Sequence, residues 1–94
     1  MNEQRIFKYE LSVIDGQNIR LPIGSQILTV QNQNETPCMW ALVDPNADTE
    51  LITIEMFGTG HPVLSDMGTS RKYISTFQMH GGNLVFHVFQ YTGI

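Results

Sequence analysis

The sequence predicts an all-β fold, a small β-sandwich or open barrel of about seven short, mainly antiparallel strands, as a single domain over residues 1–94. Three observations carry that expectation. Apolar residues recur with period two along most of the chain, as they must on one face of a pleated strand. The apolar runs are separated by turn-forming residues, namely Asp15-Gly16, Asn34-Glu35-Thr36-Pro37, Asp44-Pro45-Asn46 and Gly81-Gly82. No segment sustains the i, i+3, i+4, i+7 pattern over a helical length.

The first run places Phe7, Tyr9, Leu11 and Val13 on one face, alternating with Lys8, Glu10 and Ser12. Asp15-Gly16 supplies a turn, and Asn18 to Leu21 is expected to pair back on the first strand as a hairpin ending at Pro22. Gln26 to Gln33 is the next strand, with Leu28 and Val30 inward, and a second hairpin is expected across Asn34-Glu35-Thr36-Pro37. Cys38 to Val43 is apolar throughout. Cys38, Trp40 and Leu42 line one face and Met39, Ala41 and Val43 the other, so both faces are covered and the strand is central. Thr49 to Phe57 carries Ile52, Ile54 and Met56 on one side and stops at Gly58. Residues 59–70 read as a long loop with one helical turn around Val63 to Met67. Lys72 to His80 and Asn83 to Tyr91 form a last hairpin across a two-residue Gly81-Gly82 turn.

Composition excludes several function classes. At 94 residues and 10.6 kDa the chain suits one core. A formal charge of -4 leaves no net field to attract a nucleic-acid backbone, so no DNA or RNA duplex is expected as partner. No apolar run approaches the ~20 residues of a bilayer span, and the N-terminus lacks the order of a signal peptide, so no membrane partner and a cytoplasmic protein are expected. The single Cys38 cannot form an internal disulfide, which suits a reducing compartment. Charged residues make up only 15%, leaving little to blunt exposed strand edges, so copies are expected to pair as a homo-oligomer.

The densest chemical feature is Phe57-Gly58-Thr59-Gly60-His61-Pro62. Two glycines two apart let successive N–H groups converge as an anion-binding nest, to which Thr59 adds a hydroxyl and His61 an imidazole; the alternative is a plain turn that ends the strand. Arg71-Lys72 is the one adjacent basic pair and is a candidate for phosphates. Trp40 and Tyr73 are candidates to stack on a planar ring, against core packing as the alternative for Trp40. The ligand-binding set is therefore Gly58, Thr59, Gly60, His61, Arg71, Lys72, Trp40 and Tyr73. His61, His80 and His87 lack the spacing and acidic neighbours of a metal site, and His87 reads as a hydrogen-bonded structural histidine. No metal, no cofactor and no catalytic residue is assigned: Cys38 has no local base, no serine sits in a nucleophile-elbow setting, and the Walker Lys and Ser/Thr pair is missing.

Ile6-Phe7-Lys8-Tyr9, Trp40-Ala41-Leu42-Val43-Asp44-Pro45, Phe57-Gly58-Thr59-Gly60-His61-Pro62 and Phe86-His87-Val88-Phe89 stand in an order that resembles a family of small proteins common in bacteriophage genomes. The resemblance covers nearly the full length, and GTGHP and the final HVF strand are its most specific marks. It implies phage origin and action in the cytoplasm of an infected bacterial host, and it transfers no activity. The leading expectation is a non-enzymatic protein whose homo-oligomer sequesters a small anionic, nucleotide-like host defence signal. The alternative is a protein-interaction module that binds a host protein or belongs to the phage particle. A hydrolase of the same ligand would require His61 or His87 as general base.

Overall fold

The computed structural model describes residues 3–65 and 67–93. Seven strands form, in chain order β1 (Arg5–Glu10), β2 (Gly16–Pro22), β3 (Gln26–Gln33), β4 (Thr36–Val43), β5 (Thr49–Gly58), β6 (Arg71–Met79) and β7 (Leu84–Tyr91). One helical turn, α1 (Met67–Ser70), precedes β6, and a 3-10 turn, His80–Gly82, links β6 to β7. Three strands make one sheet in the order β1-β4-β3 and four make the other in the order β2-β5-β7-β6, with every pairing antiparallel. The architecture is an all-β sandwich, not a closed barrel. Its Cα atoms span 45 × 33 × 16 Å, the short dimension being what two stacked sheets occupy.

Alternation builds the core. Val30, Met39, Ile54 and Val88 are fully buried between the sheets, with Leu11, Leu21, Met56, Phe77 and Met79 packed around them. Burial of each such large side chain contributes roughly 1.5–3 kcal/mol. β4 is central in its sheet as its unbroken apolar run requires, with Met39, Ala41 and Val43 buried and Trp40 and Leu42 half-buried on the opposite face. Cys38 is buried beside Gln33 and the Thr36 carbonyl.

The expected first hairpin does not form: β1 pairs with β4 and β2 with β5, so the chain changes sheets between them. Leu11 drives the crossing. Its side chain enters the core and its amide donates to the Pro37 carbonyl, while the Gln17 side chain exchanges two hydrogen bonds with the Ser12 backbone and braces the bend. Val13, expected inward, lies in this crossing and is exposed.

Two bulges interrupt alternation. One in β3 falls between Ile27 and Thr29, so Leu28 is pushed outward, 42% exposed, and Ile27 packs on the core in its place. The other, in β6, falls between Tyr73 and Ser75. β3 and β6 run side by side along one flank of the sandwich, where the Ser75 hydroxyl accepts from the Val30 amide and donates to the Val30 carbonyl, both at 2.8 Å. Further along this seam the Asn32 amide donates to the Gln78 carbonyl at 2.9 Å.

The hairpin loops follow local chemistry. Asn34 and Glu35 take φ of 53° and 64°, the left-handed pair a two-residue turn demands, and close the Gln33–Thr36 pair. At the last hairpin pairing stops at Met79–Leu84, so the connection is four residues rather than two, though the register is the one a Gly81-Gly82 turn sets. The helical turn in the long loop lies later than expected, at Met67–Ser70; of the expected stretch, Asp66 lies outside the described residues. The ends of the expected domain, Met1-Asn2 and Ile94, lie outside them too.

Candidate functional site: an aromatic face under the 59–65 segment

Because Ile54, Met56, Phe86 and Val88 point into the core, the intervening residues of β5 and β7 point out. Register sets Phe57 beside His87 and Glu55 beside Phe89 on the outer face of the four-stranded sheet. The β6 bulge completes the face. Strict alternation would put Tyr73 and Thr76 on opposite sides; the extra residue turns both outward, with Tyr73 beside Phe89 and Thr76 beside His87, while Ser75 turns into the seam. Phe89 stands between two rings, edge to face with Phe57 at 5.8 Å and with Tyr73 at 5.5 Å between centroids.

The chain then folds back over this face. Gly58 to His61 is a tight turn in which the His61 amide donates to the Gly58 carbonyl at 3.1 Å, and Gly60 supplies the φ of 86° at the third position. The Thr59 amide donates to the Val85 carbonyl at 3.2 Å, and at the far end of the segment Thr92 donates to the Ser70 carbonyl through both its amide and its hydroxyl. Gly58 has a steric role as well: a Cβ there would lie 2.8 Å from Cε1 and Nδ1 of His61, so the imidazole rests on the glycine's bare face. No hydrogen bond of the His61 ring occurs among the described residues.

A cavity of about 320 Å³ results, lined by Phe57, Tyr73 and Phe89 on the sheet and by Thr59, His61, Val63 and Met67 from the covering segment, with His87 in its wall. Two further hollows, of about 340 and 250 Å³, flank the same turn and share His61. A chain of hydrogen bonds crosses the wall. Thr59 Oγ1 lies 2.6 Å from His87 Nε2, His87 Nδ1 lies 3.0 Å from Thr76 Oγ1, and Thr76 Oγ1 lies 2.6 Å from Tyr73 Oη. His87 is thus held at both nitrogens, and its two threonines fix the plane of the ring.

Of the sequence candidates, Gly58, Thr59, Gly60, His61 and Tyr73 come together here, and three do not. Trp40 is half-buried on the outer face of the other sheet, opposite Lys8 and Thr29. Lys72 lines a neighbouring cleft of about 220 Å³ between the two bulges, with Leu28, Ile74 and Tyr73, the last of which it shares with the aromatic cavity. Arg71 shares the aromatic face, but its guanidinium is bound to Glu55 at 2.5 Å and lies 5.1 Å over the Tyr91 ring, its side chain only 7% exposed. Of the amides expected to converge as an anion nest, those of Thr59 and His61 donate to the Val85 and Gly58 carbonyls, and Gly58 also seats the His61 ring. Sequence reasoning missed Thr76 and left His87 out of the binding set, as a hydrogen-bonded structural histidine or, in the hydrolase alternative, a general base. The register of the Gly81-Gly82 hairpin, which sets residue 76 opposite 87, was the signal that could have joined them.

Among the described residues no three His, Cys, Asp or Glu side chains gather as a metal site, and no helix is long and apolar enough to cross a membrane. No curated protein and no solved structure matches the chain. A family model described as a domain of unknown function, DUF7352, matches residues 2–93, nearly the whole sequence, and the chain belongs to that family.

Proposed function

We propose that this protein binds, without converting it, a small nucleotide-like molecule held by its flat ring in the aromatic cavity. The observation that carries the reading is the cavity itself: about 320 Å³ walled by Phe57, Tyr73 and Phe89, with Thr59, His61 and His87 as its polar groups. Small-molecule sites have this make-up, mostly apolar with a few polar groups that set orientation, and volumes upward of ~300 Å³. Stacking of a base on an aromatic side chain contributes roughly 1–3 kcal/mol. With Arg71 engaged by Glu55 and a net charge of -4, the ring leads the binding and any phosphate follows, met by the hydroxyl of Thr59 and by the His61 imidazole, which has no hydrogen-bond partner among the described residues. The resemblance to phage proteins supports sequestration of a host defence signal in the cytoplasm of an infected bacterium as the role.

Calorimetry with adenosine, inosine and uridine, their 5′-monophosphates, ADP-ribose and a cyclic dinucleotide tests the reading. Saturable heat is expected for the matching ring, weakened about tenfold or more in Tyr73→Ala, a loss of the stacking contribution. Absence of saturable heat from every probe at millimolar concentration would overturn it.

A second reading, pairing between copies, is favoured by β1. That strand pairs with β4 alone, contains neither Gly nor Pro, and exposes Ile6 by 60% and Phe7 by 39%. Antiparallel addition of β1 from a second copy would cover both side chains. A monomer in sedimentation equilibrium at high protein concentration would exclude it.

A further inference from the structure

The hydrogen-bond chain through His87 has a property that the cavity's shape does not reveal. A neutral imidazole carries one N–H and one bare nitrogen, so the chain has two arrangements. With the proton on Nδ1, Nε2 must accept the Thr59 hydroxyl proton at 2.6 Å, and Thr59 can then only accept from a ligand. The ring N–H donates to Thr76 at 3.0 Å, which leaves the Tyr73 hydroxyl proton available to the cavity. With the proton on Nε2 the polarity reverses. Thr59 receives the ring N–H and can donate outward; Thr76 must donate to Nδ1, Tyr73 must donate to Thr76, and Tyr73 can only accept. In either arrangement one of the two cavity-lining hydroxyls is restricted to accepting.

Resting on the binding reading above, we infer that the site selects uncharged heteroaromatic rings with a lactam edge, a carbonyl beside an N–H, and that the tautomer of His87 adapts to the ligand's polarity. A ligand that offers one acceptor and one donor satisfies both ends of the chain. While the imidazole is neutral, a group made only of acceptors, such as phosphate or carboxylate, faces one hydroxyl that cannot donate to it. Thr76 acts here as a positioning residue: it touches no ligand, and it couples Tyr73 to the imidazole.

The test uses the intact protein with inosine, which has the lactam edge, and N1-methylinosine, which keeps the ring and carbonyl but loses the donor. Inosine is expected to bind about tenfold or more tightly, the cost of an accepting hydroxyl that N1-methylinosine covers without offering it a donor. On binding inosine, the ¹⁵N shifts of the His87 ring should move toward one tautomer. Thr76→Val, which severs the chain, should shrink the discrimination to less than about threefold while inosine still binds, and Thr76→Ser should restore it. Equal affinity for the two nucleosides, unmoved ring shifts on binding, or full discrimination in Thr76→Val would each overturn the inference and leave the binding reading standing. If the wild-type protein takes up neither nucleoside nor any other ring probe, both are overturned.

Discussion

Along β6, the flank that meets β3 is closed while the face beneath the 59–65 segment is open, and one bulge separates the two. On the flank, Ser75 satisfies the amide and carbonyl that Val30 turns away from β4, and it is 8% exposed. Two positions earlier, Tyr73 is 54% exposed and its hydroxyl lies 2.6 Å from that of Thr76. The seam closes an edge that would otherwise offer free backbone groups to other chains. The face keeps its aromatic and hydroxyl groups available. Stability and the proposed recognition therefore fall to neighbouring residues of one strand, which substitution can separate.

The largest effect is expected at the seam. Ser75→Val leaves the Val30 amide and carbonyl buried without partners, and the urea-derived stability should fall by about 2–4 kcal/mol, since each such group costs roughly 1–3. Tyr73→Phe, on the open face, should change stability by no more than about 0.5 kcal/mol. Equal losses for the two would remove the distinction.

A smaller effect on stability, with a larger one on binding, is expected at the turn. Gly58 is a strand residue whose substitution needs no unusual backbone angle, but the Cβ of Gly58→Ala would force the His61 ring away from its 2.8 Å approach. Stability should change by less than about 1 kcal/mol because the displaced ring is exposed. The ring resonances of His61 should shift, and calorimetric affinity for the ring probe should drop several-fold. Unchanged His61 resonances would show that the ring does not rest on Gly58.

What could be read from the sequence, and what could not, follows the same division. Strand β4 was legible because six apolar residues in a row have one meaning in a small β domain, and Asn34-Glu35-Thr36-Pro37 was legible as a hairpin break but not as a turn centred on Asn34-Glu35, because Glu seldom takes a left-handed φ. The tight turn at Gly58 to His61 was legible as a turn or an anion nest, but the carbonyls of Val85 and Gly58 that take the Thr59 and His61 amides were not. The bulges at Leu28 and Ile74 carry no glycine or proline to announce them; they arise because β3 and β6 must meet edge to edge and also cover the core. Without the second bulge, alternation separates Tyr73 from Thr76, so the hydroxyl chain stays hidden. The separation of β1 from β2 was illegible for a related reason. Asp15-Gly16 looks like a hairpin turn, and only the burial of Leu11 in a core built from distant strands redirects the chain.

The smallest expected effect lies at the tip of the seam. Glu35 holds a left-handed φ of 64°, an uncommon conformation for a residue with a Cβ, and its carboxylate accepts hydrogen bonds from the Asn32 side chain and the His80 amide, both at 2.9 Å. Those bonds, with the His80 imidazole 3.3 Å away, hold its pKa below the ordinary carboxylate range. A carboxylate more acidic in the folded chain than in the unfolded one stabilises the fold above its unfolded-state pKa. That contribution disappears as pH falls through the folded value. The urea midpoint of the wild-type protein should therefore fall on acidification from neutral to about pH 3, and Glu35→Gln should show a shallower fall because its amide does not titrate there. At neutral pH the variant should be the less stable of the two, with the hairpins at Asn34-Glu35 and at His80–Gly82 exchanging amide protons faster while the aromatic face is unchanged. An identical pH slope in the two proteins would show that the carboxylate adds nothing to the clasp, and that the seam is held by Ser75 and Asn32 alone.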